Sequence, residues 1–343
     1  MVNNPFLNIL ITTYNRSFFL KQCLSSIEAA LSTLSRKEKV EIIVLDNGCT
    51  DDTQEVLKHF EQKIPLRLLY EKDNIGFVAG FLKCVSNATG RYCWFLGDDD
   101  YIAGRIDDLV DYLNTNDPDI LLLDHFFYIY ENDSFKYSMQ DNVKFLLGQR
   151  KNLYVSYEDY IFDIKHPNGF FTHIAPVIFK KDLWDANFSE KAVQKHYCSH
   201  SIHIYVFLSI LKNSTKIGFF DKKILSLRVG APNEEWLTED GRYNRILMDV
   251  EFFTDMVKSV FEDQAVIRHF KDVMLKKSVS VLLLGGKIRC NLSASFYLKL
   301  LRLLYHHYKI HPFFWYGLVP MIFVPKFAFS AAYKLILKDS RRK

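Results

Sequence analysis

Five short apolar runs, at 7–12, 40–45, 66–70, 92–96 and 119–124, alternate in the first 125 residues with longer stretches, at 17–34, 52–62 and 75–88, whose apolar positions recur every three or four residues. Near-continuous apolar runs of that length suit strands covered on both faces, and the longer spacing marks amphipathic helices. Strand-helix-strand alternation predicts the α/β class, with a mostly parallel central sheet and helices on both faces. Residues 126–235 are less regular and rich in aromatics; they predict strands at 174–179, 216–220 and 223–229 and helices at 156–163 and 200–212. From Trp236 onward the pattern is helical, so the expected organisation is a domain over 1–235, with halves at 1–125 and 126–235, and a helical C-terminal extension over 236–343.

In an open parallel sheet, ligands bind in the crevice beyond the carboxyl ends of the strands, and the polar motifs fall there. Thr12-Thr13-Tyr14-Asn15-Arg16 follows the first run, Asp46-Asn47-Gly48-Cys49-Thr50-Asp51-Asp52 the second, Asp73-Asn74-Ile75-Gly76 the third and Gly97-Asp98-Asp99-Asp100 the fourth. Taken singly, most have a plain structural use: Asp46-Asn47-Gly48 and Asn74-Ile75-Gly76 suit turns, and Thr50 or Asp51 a helix cap. The acidic triplet favours metal binding, with a solvated acidic turn as the alternative. Three consecutive carboxylates after an apolar strand repel one another unless a cation neutralises them. Hard oxygen ligands suit Mn²⁺ or Mg²⁺, which bind one or two carboxylates and take further ligands from substrate phosphates. One of these ions is the expected cofactor, and a diphosphate its expected companion. Nucleotidyl transfer is conceivable at such a site, but no Gly-rich phosphate loop with a lysine occurs.

Ile9-Leu10-Ile11-Thr12-Thr13-Tyr14-Asn15-Arg16, Val44-Leu45-Asp46-Asn47-Gly48-Cys49-Thr50-Asp51-Asp52-Thr53, Asn74-Ile75-Gly76-Phe77 and Phe95-Leu96-Gly97-Asp98-Asp99-Asp100 resemble, in order and spacing, the successive signatures of family 2 glycosyltransferases of the GT-A fold. The resemblance covers about residues 6–125, and the Trp-Phe-Leu-Gly-Asp-Asp-Asp wording is most similar to bacterial O-antigen and capsule enzymes, abequosyltransferase-like members among them. It implies a Rossmann-like GT-A domain that takes a nucleoside-diphosphate sugar donor. Thr13, Tyr14 and Arg16 would line the nucleotide pocket, Asp46 would accept a hydrogen bond from the base, and the Asn74 to Gly76 turn would support the nucleotide site. Asp98 would hold the ribose and Asp99 or Asp100 the metal. On this resemblance 1–125 is the nucleotide-sugar half and 126–235 the acceptor half. Many members write Asp-x-Asp-Asp where this chain begins with Gly97, so the register of ribose and metal ligands within 98–100 stays open.

An inverting transfer needs a carboxylate or imidazole to accept the proton of the attacking hydroxyl. The acidic pair that many members place before a helix is not found here. Instead His200 and His203 lie three apart, on one face of a helix, and both are candidate bases, with Asp185 and Glu190 as carboxylate alternatives. Asn168-Gly169-Phe170-Phe171-Thr172-His173 suits an acceptor floor, although Phe170 and Phe171 suit core packing equally well. Arg228 and the stretch 233–236 suit either a flap over the diphosphate or an ordinary surface loop.

Composition bounds the rest. A chain of 343 residues, 49% of them hydrophobic, supports a sizeable core with an appended subdomain. Six cysteines at wide, irregular spacings fit neither a Cys-x-x-Cys pair nor a Cys/His metal pattern, and predict free thiols in a reducing compartment. The start lacks a basic stretch followed by an apolar run, which places the expected catalytic part in the cytoplasm. Net charge is +4, yet residues 287–343 carry 11 Lys+Arg against Asp339 alone. Within that tail Lys299, Arg302, His306 and Lys309 recur at helical spacing among leucines, which predicts a basic amphipathic helix lying in a membrane interface with its apolar side in lipid; packing against the protein is the alternative. The run 313–333 is apolar but for Lys326, and Pro320 and Pro325 favour a shallow segment over a span. The expected protein is therefore peripheral on the cytoplasmic face of the membrane and glycosylates a glycan or lipid-linked glycan acceptor. Nucleic acid is not an expected partner, because the tail is apolar and lacks Gly/Arg interleaving. A degenerate nucleotide-sugar-binding subunit that organises partner transferases is the alternative that a missing acidic base would favour.

Overall fold

The computed structural model describes residues 4–34, 39–131, 134–138, 153–191, 202–214, 216–229, 239–280, 282–284 and 293–324. The chain divides into two compact units: Met1–Ile164 with Asn168–Ala231, and Lys165–Pro167 with Pro232–Lys343.

The first unit is built on one mixed sheet. β1 (Leu7–Thr13), β2 (Val40–Asn47), β3 (Leu66–Glu71) and β4 (Tyr92–Phe95) are the parallel strands that the alternation predicts, in the order β3-β2-β1-β4. The sheet then continues through two strands of the second half, β6 (Ile120–Glu131) and β10 (Ile217–Val229), which pair parallel to each other. Between β4 and β6 lies β9 (Val177–Lys180), antiparallel to both. Three further strands, β5 (Tyr101–Ile102), β7 (Ser134–Ser138) and β8 (Leu153–Tyr154), add antiparallel pairs to β10, β6 and β10 in turn.

Helices α1 (Ser17–Ser32), α2 (Thr53–Glu61), α3 (Phe77–Asn87), α4 (Asp107–Asn116), α5 (Tyr157–Asp163), α6 (Lys181–Asn187) and α7 (Ile202–Asn213) complete the layers. Alternate residues of a strand face opposite sides, and here both sides are buried. Ile9, Ile11, Ile42 and Val44 pack with Leu20, Leu24 and Ile27 of α1 and with Leu57 and Phe60 of α2. Leu10, Ile43 and Leu45, on the opposite side, are equally buried. There α3 comes close: a Cβ on Gly80 would lie 2.9 Å from Thr12 Oγ1 and 3.2 Å from a Leu45 methyl. Two covered faces are the reason these strands read as continuous apolar runs.

The strands expected at 216–220 and 223–229 are one strand, β10, whose register against β6 jumps between Phe220 and Leu225. A bulge accommodates the polar Asp221-Lys222-Lys223 that broke the apolar pattern.

The second unit is helical, with α-helices Glu239–Leu247, Phe253–Val260, Gln264–Met274 and Ala294–Tyr308 and π-helical turns at Met248–Phe252, Leu275–Val279 and Phe314–Leu318. Leu300, Leu303, Leu304 and Tyr308 pack with Ile246, Val250, Leu275 and Phe314 in its core. This corrects the expected lipid-facing stripe: those leucines bury against their own unit. Among the described residues no helix is long and apolar enough to cross a membrane, and the short helix begun by Val319-Pro320 ends at Phe323.

Candidate active site

The carboxyl ends of the parallel strands open into a cavity of about 530 Å³. β1 ends at Thr13, and the chain turns through Asn15 in the left-handed region, at φ 52°, a conformation that Asn tolerates. The Asn15 side-chain oxygen accepts the Thr50 N–H at 2.7 Å, which stitches this turn to the one after β2. That second turn reverses at Gly48, at φ 78°, where a Cβ would lie 2.7 Å from the Asp73 backbone. One oxygen of the buried Asp46 accepts the Cys49 N–H at 2.8 Å. Asp46 does not line the cavity in this conformation; the expected partner of a nucleotide base braces its own turn.

Asn47, which the motif reading passed over, organises the third turn. Its Oδ1 accepts the Ile75 N–H at 3.0 Å, and its Nδ2 donates to Asn74 Oδ1 at 3.0 Å. The same Asn74 oxygen accepts the Gly76 N–H at 2.8 Å, and Gly76 stands at φ 83° at the start of α3. Asn47, Asn74, Gly76 and the exposed Tyr14 share this side of the cavity.

On another wall the acidic triplet forms a tight turn beyond β4. The Asp100 N–H donates to the Gly97 carbonyl at 3.0 Å, and the Gly97 N–H donates to Asp100 Oδ2 at 3.2 Å. A Cβ on Gly97 would lie 2.6 Å from that carboxylate oxygen, so this arrangement of Asp100 needs glycine at position 97. The three carboxylates have different surroundings. Asp98 is buried, accepts the Thr13 hydroxyl at 2.8 Å and pairs with Arg16 at 2.9 Å. Arg16 reaches Asp99 with its other terminal nitrogen. Asp100 is buried and accepts the Arg228 backbone N–H at 3.1 Å in addition to Gly97. Asp99 keeps the most open side chain, 21% exposed.

Burial pushes the Asp98 carboxyl up to about 7, against the pull of Arg16 and of the Thr13 hydroxyl. Burial, then the charge of Asp99, pushes Asp100 up as well, against the Arg228 and Gly97 amides. Burial works against the charge of Arg16, but Asp98 and Asp99 hold its guanidinium above the ordinary value. One arginine therefore serves two carboxylates, and a proton or a further cation must answer the rest of the triplet.

Among the described residues no group of three or more His, Cys, Asp or Glu is arranged to hold a metal ion. The donor set fits a different arrangement. Mn²⁺ or Mg²⁺ takes one or two carboxylates and completes its shell with phosphate and water oxygens, and Asp99 beside Asp100 supplies such a partial set of hard oxygens. These residues suit a cation shared with a substrate's phosphates.

Arg228 reaches the triplet from β10, past the bulge. Its Nε donates to the Asp99 carbonyl at 3.1 Å, and its guanidinium lies 4.1 Å from the Phe19 ring centroid and within reach of Gln22 and Tyr101. Cys23 of α1 donates its thiol to the Gly97 carbonyl at 3.6 Å. Arg228 is thus a buried brace for the acidic turn, and the stretch 233–236, expected to form a flap with it, lies outside the described residues.

The expected bases fare differently. His203 is buried on α7, its ring 5.9 Å from Phe207 and 6.4 Å from Phe81, and it does not line the cavity. Burial pushes its imidazole down to about 3, and the Phe171 backbone opposes this only weakly, since neither ring nitrogen finds a partner at hydrogen-bonding geometry. This corrects its candidacy, because an imidazole sealed among aromatic rings cannot meet an acceptor hydroxyl. His200 lies outside the described residues. Asp185 is exposed and paired with Lys181, and neither it nor the exposed Glu190 lines the cavity. Among the described residues, the imidazole that does line it is His173. Its segment leaves Phe171, at φ 63°, and is tied to β4 by Trp94 Nε1, which donates to the Ala175 carbonyl at 2.7 Å.

A nucleotide-sized cavity at the ends of parallel strands, walled by an acidic turn and extended by a mixed second half, is the arrangement of a GT-A glycosyltransferase. The chain belongs to glycosyl transferase family 2, whose family model matches residues 8–185. It is 26% identical over 285 residues to an abequosyltransferase of Salmonella typhimurium, across 79% of this chain and 80% of that one. Among solved structures, S. aureus TarS in complex with UDP superposes with a TM-score of 0.61 at 15% identity, over 89% of this chain and 81% of that one. A mannosyltransferase from Pyrobaculum calidifontis, solved with GDP-Man and Mn²⁺, superposes with a TM-score of 0.51 at 13% identity, over 94% and 86%. These two structures share the fold.

Proposed function

We propose that this chain transfers one sugar, with inversion, from a nucleoside-diphosphate sugar to a lipid-linked glycan acceptor in bacterial surface polysaccharide synthesis, assisted by Mn²⁺ or Mg²⁺ and working at the cytoplasmic face of the membrane. The observation that carries this is the junction of Thr13, Arg16 and the Asp98-Asp99-Asp100 turn on one cavity wall. It concentrates hard oxygens and one guanidinium at the strand ends, where a diphosphate would lie. The donors named for the structurally similar enzymes, UDP-GlcNAc and GDP-Man, support a diphosphate donor, and the Salmonella relative, an abequosyltransferase, supports sugar transfer.

Tyr14 and the Asn47-Asn74-Gly76 turn would flank the nucleoside, Asp98 would hold the ribose, and Asp99 with Asp100 would hold the cation. When bound, that ion offsets the charge that develops on the diphosphate as the sugar bond breaks. Arg16 supplies a second, fixed positive charge on the same side. His173 takes the proton of the acceptor hydroxyl as its oxygen attacks the anomeric carbon and the nucleoside diphosphate leaves.

Steady-state turnover with Mn²⁺ separates these roles. Asp99→Ala should lower kcat by about 100-fold or more and weaken the response to metal. His173→Gln should lower transfer by about 100-fold or more while leaving donor affinity and metal response in place. Full turnover by both Asp99→Ala and Asp100→Ala would end the metal-assisted reading.

A further inference from the structure

The helical unit presents a second chemically distinct surface. On the helix Ala294–Tyr308, Phe296, Leu300, Leu303 and Leu304 face the core of the unit. Residues 298, 302, 305 and 309, spaced by four, three and four, fall on the opposite face. Leu298 is 57% exposed and Tyr305 49%, and Arg302 and Lys309 between and beyond them are open to solvent. The turn that follows folds Trp315 back onto this face: its Nε1 donates to the Lys309 carbonyl at 2.8 Å, and its ring lies 6.2 Å from that of Tyr305. The Lys309 ammonium stands 5.9 Å from the Tyr305 ring centroid. Ile310 beside it is 90% exposed and Trp315 itself 53%.

Between 293 and 324 the sequence contains no Asp or Glu. The segment itself thus supplies no acid to the exposed cations of this face, and among the described residues Glu251 and Asp272 reach it to pair with His307 and His311. Aromatic rings with a polar edge, aliphatic side chains left in water and cations on long stems are the groups that partition into the boundary between headgroups and acyl chains. A nucleic-acid groove would use the cations but leave Leu298 and Ile310 hydrated, whereas a bilayer takes up both.

We infer that Leu298, Arg302, Tyr305, Lys309, Ile310 and Trp315 form the face by which this chain seats on an anionic phospholipid bilayer. The inference rests on the membrane setting proposed above and specifies its contact. Contact is made by the aromatic and basic side of the helix, with the leucine side turned into the protein. Indole and phenol rings enter the headgroup layer, and Arg302 and Lys309 meet lipid phosphates.

Co-sedimentation of the full chain with phosphatidylcholine vesicles, with and without phosphatidylglycerol, tests this. The wild type should bind the phosphatidylglycerol vesicles, and less so as salt is raised. Arg302→Gln with Lys309→Gln should weaken that binding about 30-fold, near 5-fold for each cation. Tyr305→Ser with Trp315→Ser should weaken binding to both kinds of vesicle. Thermal midpoints and nucleoside-diphosphate affinity, which report folding and the separate cavity, should stay at wild-type values in both double variants. Wild-type binding that either double variant retains in full, or a wild type that ignores anionic vesicles, overturns the inference even where the cavity binds its donor.

Discussion

At Asp98 and Asp100 burial raises carboxyls that the fold has placed beside a third, and Arg16, the Thr13 hydroxyl and backbone amides answer them in part. That imbalance was visible in the sequence, because three consecutive acids after an apolar strand have no other local remedy. The neighbours Thr13 and Arg16 were visible too, since strand ends in a parallel sheet aim at one crevice. His173 as a candidate base, beyond its place in the expected acceptor floor, and the bracing role of Arg228 were not. They arrive from the irregular second half, where no period says which way a side chain points. His203 misled for the converse reason: its spacing from His200 describes one helix face, but α7 is buried among aromatic rings. That burial has a pH consequence. Burial in the folded state lowers the imidazole from 6.5 to about 3, so below 6.5 the unfolded chain binds a proton that the folded chain refuses. The contribution to stability is whole above 6.5 and is lost as pH falls toward 3. His203→Phe, with rings of Phe81 and Phe207 as neighbours, should flatten the acid decline of the thermal midpoint over that range and keep kcat within about 2-fold. An unchanged acid decline, or a collapse in kcat, would show that His203 acts otherwise.

Among the elements, β1 to β4 follow the apolar runs closely because both faces of each strand are covered. β5, β7 and β8 escaped notice since two to five residues carry no period. β10 looked like two strands because the bulge lets three polar residues interrupt one. The same strand then delivers Arg228, whose backbone N–H donates to Asp100 and whose guanidinium holds the Asp99 carbonyl over Phe19. Lysine at this position keeps the charge but loses the planar fork and the stacking. Arg228→Lys should therefore lower kcat about 10-fold through a displaced acidic turn, with nucleoside-diphosphate affinity in the absence of metal nearly unchanged. Steady-state kinetics beside equilibrium binding would check this, and an unaltered kcat would deny Arg228 a positioning role.

For the molecule as a whole, a net charge of +4 conceals a strongly basic C-terminal tail and an acidic remainder. The sequence made that asymmetry plain, but the helical spacing of the leucines fits a protein core as well as it fits lipid. Only tertiary structure distinguishes the two, and here they form the core of the second unit. The α/β unit carries the chemistry proposed for the chain, and its premise is that Asp99 and Asp100 share a divalent ion with a nucleoside diphosphate. Calorimetric titration of the nucleoside diphosphates into the full chain, with and without Mn²⁺, addresses that premise directly. At least one should bind with measurable heat and much more tightly when Mn²⁺ is present, and the gain should vanish in Asp99→Ala. Silence from every nucleoside diphosphate and its sugar at saturating Mn²⁺, or equal binding with and without the ion, would contradict it.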